Sequence, residues 1–173
     1  MKKDNLKSII VLSVICLVTA VTMAAVNFVT APKIKENEDK KVQESLLSVM
    51  PDAEGFEEMP LSDSSPETVV GVYRETSGKG YAVALATESS YSSNPMAFTV
   101  AISSEGKIID IKLTGYSETK DFGRDTYPLT YIGAGSDSVM SVDLKSGVTY
   151  SSTAFRSAVA DAFAVLDLKG GAE

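Results

Sequence analysis

The longest apolar run reads IIVLSVICLVTAVTMAAVNFV, from Ile9 to Val29, without a single charge. Its only polar positions are Ser13, Thr19, Thr22 and Asn27. As a helix, these residues would cover roughly 30 Å, the thickness of a bilayer's hydrocarbon core. A signal peptide's apolar region is usually only about 7–15 residues. Length therefore favours an uncleaved transmembrane helix over residues 9–29. Cys16 follows Ile15 rather than a small residue, so it reads as a small hydrophobe and not as a lipid-bearing cysteine.

After Pro32 the pattern changes. KIKENEDKKVQESLLSVMP is mostly charged, with Ile34, Val42, Leu46, Leu47 and Val49 forming a weak apolar face that Pro51 ends. It predicts a solvated helical stalk. Residues 51–67 are rich in Pro, Asp, Glu and Ser and read as loop. Period-two segments follow at 68–75, 80–87, 97–103 and 108–114. Tyr81, Val83 and Leu85 alternate, as do Phe98, Val100 and Ile102, and then Ile109, Ile111 and Leu113. Gly106 is the pivot of a hairpin. Residues 115–138 lose periodicity, and a loop of that length in a small domain is usually functional or disordered. Phe155, Val159, Phe163 and Leu166 then recur at helical spacing, with Ser151 or Ser152 as the cap and Gly170 as the end.

The fold class is α+β: one transmembrane helix, then a small domain whose antiparallel or mixed sheet is covered by helices. The divisions are a tail at 1–8, the span at 9–29, a juxtamembrane helix and linker at 30–66, and a ligand-binding domain at 67–173.

Composition narrows the chemistry. There is no histidine and one cysteine. Ser-His-Asp and Cys-His nucleophilic sites, His-ligated metals, internal disulfides and Cys-cluster metal sites are all excluded. Redox chemistry would need a cofactor. With the tail at +2 and the whole chain at −7, the remainder carries −9. No basic stripe exists to neutralise nucleic-acid phosphates. Lys2, Lys3 and Lys7 favour a cytoplasmic tail and an extracytoplasmic body, a plasma-membrane protein with a single pass. Lys33, Lys35, Lys40 and Lys41 flank the other end of the span, but long domains translocate largely regardless of charge.

Two stretches could carry a ligand. In Asp143-Leu-Lys-Ser-Gly-Val-Thr149, Gly147 permits a turn that other residues would strain to make. Thr149 stands just ahead of a helix start, which favours a phosphate. Ser146, Ser151 and Ser152 add hydroxyls. The same residues are also the ordinary vocabulary of a turn and a cap. In Tyr116-Ser-Glu-Thr-Lys-Asp-Phe-Gly123, Glu118 and Thr119 offer an acceptor and a hydroxyl at a strand end. Phe122 and Gly123 offer an aromatic face beside a flexible residue. That suits a flat heteroaromatic ring, and equally any exposed loop.

Together with the span, the two stretches resemble the RnfG/NqrC family of membrane-anchored FMN-binding subunits, from Rnf (ferredoxin:NAD) and sodium-translocating NADH:quinone reductase complexes. The family's flavinylation motif is Asp-x-x-Ser/Thr-Gly-Ala-Thr, with FMN joined through its phosphate to the threonine. Asp143, Ser146, Gly147 and Thr149 match it, and Val148 replaces the alanine. The RnfG branch also carries His-x-Glu-Thr-Pro-Gly-Leu-Gly beside the flavin. Glu118, Thr119 and Gly123 match it. Tyr116 replaces the histidine, Lys120-Asp121 replace Pro-Gly, and Phe122 replaces the leucine.

The resemblance implies FMN as a covalent cofactor on Thr149, with Ser146, Gly147 and Val148 shaping the phosphate end and Glu118, Thr119, Phe122 and Gly123 near the ring. It implies no metal and no catalytic side chain. The partners would be other membrane subunits of an Rnf-type, ion-translocating complex and a separate flavin transferase using FAD and magnesium. The altered Glu-Thr loop keeps open a stand-alone extracytoplasmic electron relay. A non-redox anchored scaffold, in which Ser-Gly-Val-Thr is only a cap, is the third reading.

Overall fold

The computed structural model describes residues 2–88, 94–117 and 122–170. Helix α1 covers Lys2–Val49. Within it Ile9–Lys33 contains an 18-residue window of mean hydropathy 2.8 and is long and apolar enough to cross a membrane. Two of the four polar positions of the span are neutralised locally. Thr19 Oγ1 donates to Ile15 O at 3.0 Å, and Thr22 Oγ1 to Val18 O at 2.8 Å. A hydroxyl returned to its own helix leaves nothing for lipid to solvate. Pro32 lies inside α1, which continues beyond it. The ring removes only the bond its N–H would have given to the carbonyl four residues earlier. In the charged stretch that follows, Glu36, Asn37, Lys40 and Lys41 are exposed, with a Lys40–Glu36 pair at 2.7 Å one turn apart.

The chain divides into two compact units, residues 1–43 and 44–173. The second unit holds a five-stranded antiparallel sheet in sequence order. Its strands are β1 Phe56–Met59, β2 Val69–Glu75, β3 Gly80–Thr87, β4 Met96–Ser103 and β5 Ile108–Gly115. A closing helix, α2, covers Thr149–Gly170. The alternation in β3 and β4 sets the register. Val83 stands opposite Val100, and Leu85 opposite Phe98. Side chains alternate across a strand, so these residues share one face. They join the buried core with Phe155, Ala158, Val159 and Ala162 of α2. Phe98 and Phe155 meet at 4.5 Å between ring centroids.

The opposite face is narrower in side-chain volume, with Ala82 and Ala101 fully buried on it. The last turns of α1 belong to this unit, where Leu46 and Val49 are buried and Ser45 shares a hydroxyl hydrogen bond with Thr99 of β4.

Three local expectations need correction. First, residues 51–67 are not all loop, because Phe56–Met59 pairs with β2. Its central Glu57 and Glu58 hide the alternation, which an exposed edge strand tolerates. Second, Ile109 does not share a face with Ile111. A register shift between Ala101 and Ile102 turns Ile108 inward, at 2 % exposure, and leaves Ile109 at 42 %. A bulge inserts one residue and so reverses the pattern on one side of it. Third, α2 starts at Thr149, so Ser151 and Ser152 lie inside it rather than capping it. Gly106, with φ of 72°, does make the β4–β5 turn, its N–H bonding to Ser103 O at 2.9 Å.

Candidate functional site

The site grows from the start of α2. Gly147 has φ of 85°, a left-handed conformation open to glycine at little cost. Nothing lies within 4 Å of where its Cβ would be, so the glycine is there for its backbone. The chain then enters the helix, and Ser152 N–H makes a bond to Val148 O at 3.0 Å. Val148 therefore occupies the cap position with an apolar side chain, which packs half-buried against the core.

The hydroxyls of this segment separate by exposure. Ser151 and Ser152 are buried, at 2 % and 0 %. Ser152 Oγ donates back to Val148 O at 3.0 Å and Thr149 O at 3.2 Å. Ser146 and Thr149 are exposed. Among the described residues, the Thr149 hydroxyl makes no hydrogen bond.

The segment leading into this turn is held from two sides. Tyr127 donates its hydroxyl to Asp143 O at 3.1 Å and shares a second bond with the Tyr131 hydroxyl at 3.0 Å. Arg156 of α2 donates Nη1–H to Val142 O at 3.2 Å. Tyr131 is fully buried, and burial together with the Tyr127 hydroxyl pushes its phenol well above the usual range, against a smaller opposing effect of the Arg156 charge. It therefore stays protonated and serves as a hydrogen-bonding group.

The second motif reaches the same place from β5. The Tyr116 hydroxyl accepts the Phe122 N–H at 3.1 Å, and the two rings lie 5.3 Å apart. Phe122 does not present an open aromatic face. It is fully buried, with Tyr127 and Phe155 each at 5.5 Å. An apolar ring beside three other aromatic rings gains more from burial than from display. Gly123 has φ of 81°, and a Cβ there would collide with Lys145 Nζ and come within 2.9 Å of Thr126 Oγ1. The Lys145 side chain, from the turn before α2, thus reaches the Phe122-Gly123 turn. Glu118 and Thr119 lie outside the described residues.

A surface cleft of about 270 Å³ opens between β5 and the turn after Gly123, walled by Ile111, Leu113, Arg124, Pro128 and Leu129 among others. Thr149 is not in its wall. Among the described residues no three acidic or thiol groups converge as a metal set.

Sequence reasoning missed Tyr127, Lys145 and Arg156. A cation two turns into the helix, between Phe155 and the apolar positions that follow, was the available signal for Arg156. Nothing in the sequence marked Tyr127 as the group that would hold Asp143.

An apolar helix followed by a sheet-and-helix domain is the architecture on which two family matches fall, and these indicate an FMN-binding electron-transfer subunit. Residues 91–164 match the FMN-binding domain, and residues 1–49, the span of α1, match the RnfG N-terminal region. The two matches together support an RnfG/NqrC-type FMN-binding subunit. The RnfG N-terminal match also points to membership in a multisubunit complex. No curated protein matches the chain.

Proposed function

We propose that the chain carries FMN joined through its phosphate to Thr149, and passes electrons within an Rnf-type, ion-translocating ferredoxin:NAD oxidoreductase. The observation that carries the attachment is the sorting of hydroxyls at the start of α2. Thr149 is exposed, while Ser151 and Ser152 are buried. An attacking hydroxyl must be reachable by a transferase, which Ser151 and Ser152 are not; Ser146 and Thr153 are exposed too, and the motif position singles out Thr149 from them.

In the attachment step, the Thr149 oxygen forms a bond to the FMN phosphorus of FAD, the pyrophosphate bond breaks, and AMP leaves. A separate flavin transferase with magnesium performs it. The resulting diester keeps one negative charge at the start of a helix of 22 residues. The helix dipole favours such a charge by about 0.3–1 kcal/mol. Ser146 and Gly147 shape the phosphate end, and half-buried Val148 fixes where the helix starts. Glu118, Thr119 and Gly123 border the ring, with Phe122 supporting that turn from the core. Bound FMN supplies one- and two-electron chemistry that the side chains of a histidine-free domain do not. The three-lysine tail orients the domain to the extracytoplasmic side of the plasma membrane. Covalent attachment there prevents loss of the cofactor.

The test is co-expression with a flavin transferase, followed by flavin fluorescence in a denaturing gel. The wild type and Ser151→Ala give a fluorescent band and Thr149→Ala gives none. A band that survives Thr149→Ala refutes the assignment. Tyr116 favours one second reading, a stand-alone extracytoplasmic relay. It replaces the family's histidine, and its hydroxyl is engaged with the Phe122 amide. Recovery of the chain as a lone monomer after gentle detergent extraction would support that reading over complex membership.

A further inference from the structure

Among the described residues, the guanidinium of Arg156 is a cation without a counter-ion. Its Nη1 is bonded only to a neutral carbonyl, Val142 O at 3.2 Å. Its Nε is buried and has no hydrogen-bond partner. Among the described residues no carboxylate pairs with it. Leaving a buried donor unmatched on a charged group is costly, and a domain tolerates it when something else completes the site.

Its position points to what completes it. Arg156 stands seven residues after Thr149, two turns along the same side of α2. The rise between them is roughly 10 Å, and helical side chains lean back toward the N-terminus. The contact with Val142 confirms that the group reaches the segment leading into the Ser146-Gly147 turn. It is therefore carried toward the N-terminal end of α2, where Thr149 stands.

We propose that Arg156 is the resident counter-charge for an anion borne by the flavin. This rests on the attachment of FMN at Thr149. Two parts of that group can supply the anion. The phosphodiester carries one negative charge permanently. The ring gains one when it takes up two electrons and one proton from a reduced electron-transfer partner. Among the described residues no carboxylate pairs with partly exposed Arg156, so its charge is open to the cofactor. Arginine suits this better than lysine, because its charge persists on burial and its several donors can hold a carbonyl and an anion together.

The experiment uses the full-length flavinylated protein in detergent, with Arg156→Gln, the length-matched Arg156→Met, Arg156→Lys, and Arg74→Gln as a surface-charge control. Intact mass and in-gel fluorescence come first. An unmodified wild type would overturn the attachment itself, separately from this inference. On loaded protein, the midpoint potential is measured by dithionite titration against reference dyes, and the phosphodiester by phosphorus NMR. If the ring is the source, the neutral variants lower the potential by about 30 mV, a tenfold loss for a two-electron couple, and Arg156→Lys retains most of it. If the phosphate is the source, the potential holds and the phosphorus resonance moves in both neutral variants. Unchanged potential and unchanged resonance in Gln and Met variants, with only a lowered melting temperature, would reduce Arg156 to a clamp on Val142 and overturn the proposal.

Discussion

Replacing Phe122 with alanine tests whether this aromatic belongs to the core or to the ligand surface. The ring is fully buried and has three aromatic neighbours, Tyr116 at 5.3 Å and Tyr127 and Phe155 at 5.5 Å each. Removing a buried phenyl ring costs about 3–5 kcal/mol, from lost transfer energy and the cavity left behind. The neighbouring rings are themselves packed and cannot collapse fully into the space, so the upper half of that range applies. Domains are stable by only about 5–15 kcal/mol, so the loss would be a large share of the total. At about 2 kcal/mol per molar urea, the unfolding midpoint falls by roughly 2 M. Phe122→Leu keeps most of the volume and loses less than about 1.5 kcal/mol. The chain has seven tyrosines and no tryptophan. Near-ultraviolet circular dichroism during urea unfolding therefore reports on tyrosines, two of which touch Phe122 directly. A displayed ring would lose no more than about 0.5 kcal/mol. A loss below 1 kcal/mol for Phe122→Ala, in the absence of flavin, would refute the core assignment.

Other outcomes follow from single features. Gly147→Ala forces a Cβ into a left-handed turn at φ of 85° with no clash, so it costs about 1–2 kcal/mol of stability, read as a lower melting temperature. Tyr127→Phe strips the hydroxyl between Asp143 O and Tyr131 and costs about 1–3 kcal/mol, with faster amide exchange around residues 142–145 as its local signature. Glu75 is buried and accepts the Lys79 amide first, then the Ser77 hydroxyl and the Glu54 amide, which together outweigh burial and hold its carboxyl at about 2 against an ordinary 4.5. Its folded pKa is depressed, so its contribution is complete above pH 4.5 and is lost as pH falls toward 2. Glu75→Gln should lower the melting temperature above pH 4.5, and its gap to wild type should close on acidification; a gap that widens there would contradict the assignment.

The fold was legible wherever one side of an element is buried and the other is not. β3 and β4 alternate because each residue is either against α2 or on the opposite face, and hydropathy reports that directly. Legibility failed where another rule overrode the pattern. Glu57 and Glu58 sit in a short edge strand whose backbone pairing, not side-chain burial, holds it. A bulge at Ile108–Ile109 reversed inside and outside, and both residues are isoleucine, so composition could not signal which one faces in. Pro32 read as a boundary between span and stalk, yet one missing hydrogen bond does not end a helix with strong formers on both sides.

The site was legible for a different reason. Gly147 and Thr149 are ordinary turn and helix-start residues, and their physics alone fits a plain cap as well as a ligand. Their arrangement gained meaning only from the order of span, hairpin, Glu-Thr loop and Ser-Gly-x-Thr along one chain. What the order could not supply is which groups hold the turn in place. Those are Tyr127, which grips Asp143 from the core, and Arg156, which grips Val142 from the helix. Both act on backbone carbonyls, and a carbonyl is present at every residue. The turn is therefore fixed by side chains that are remote in sequence, acting on atoms that carry no sequence information. A spacing motif records the residues of the turn and is silent about the clamp beneath it. The same asymmetry means that loss of Tyr127 or Arg156 should impair the site without altering any residue of the motif.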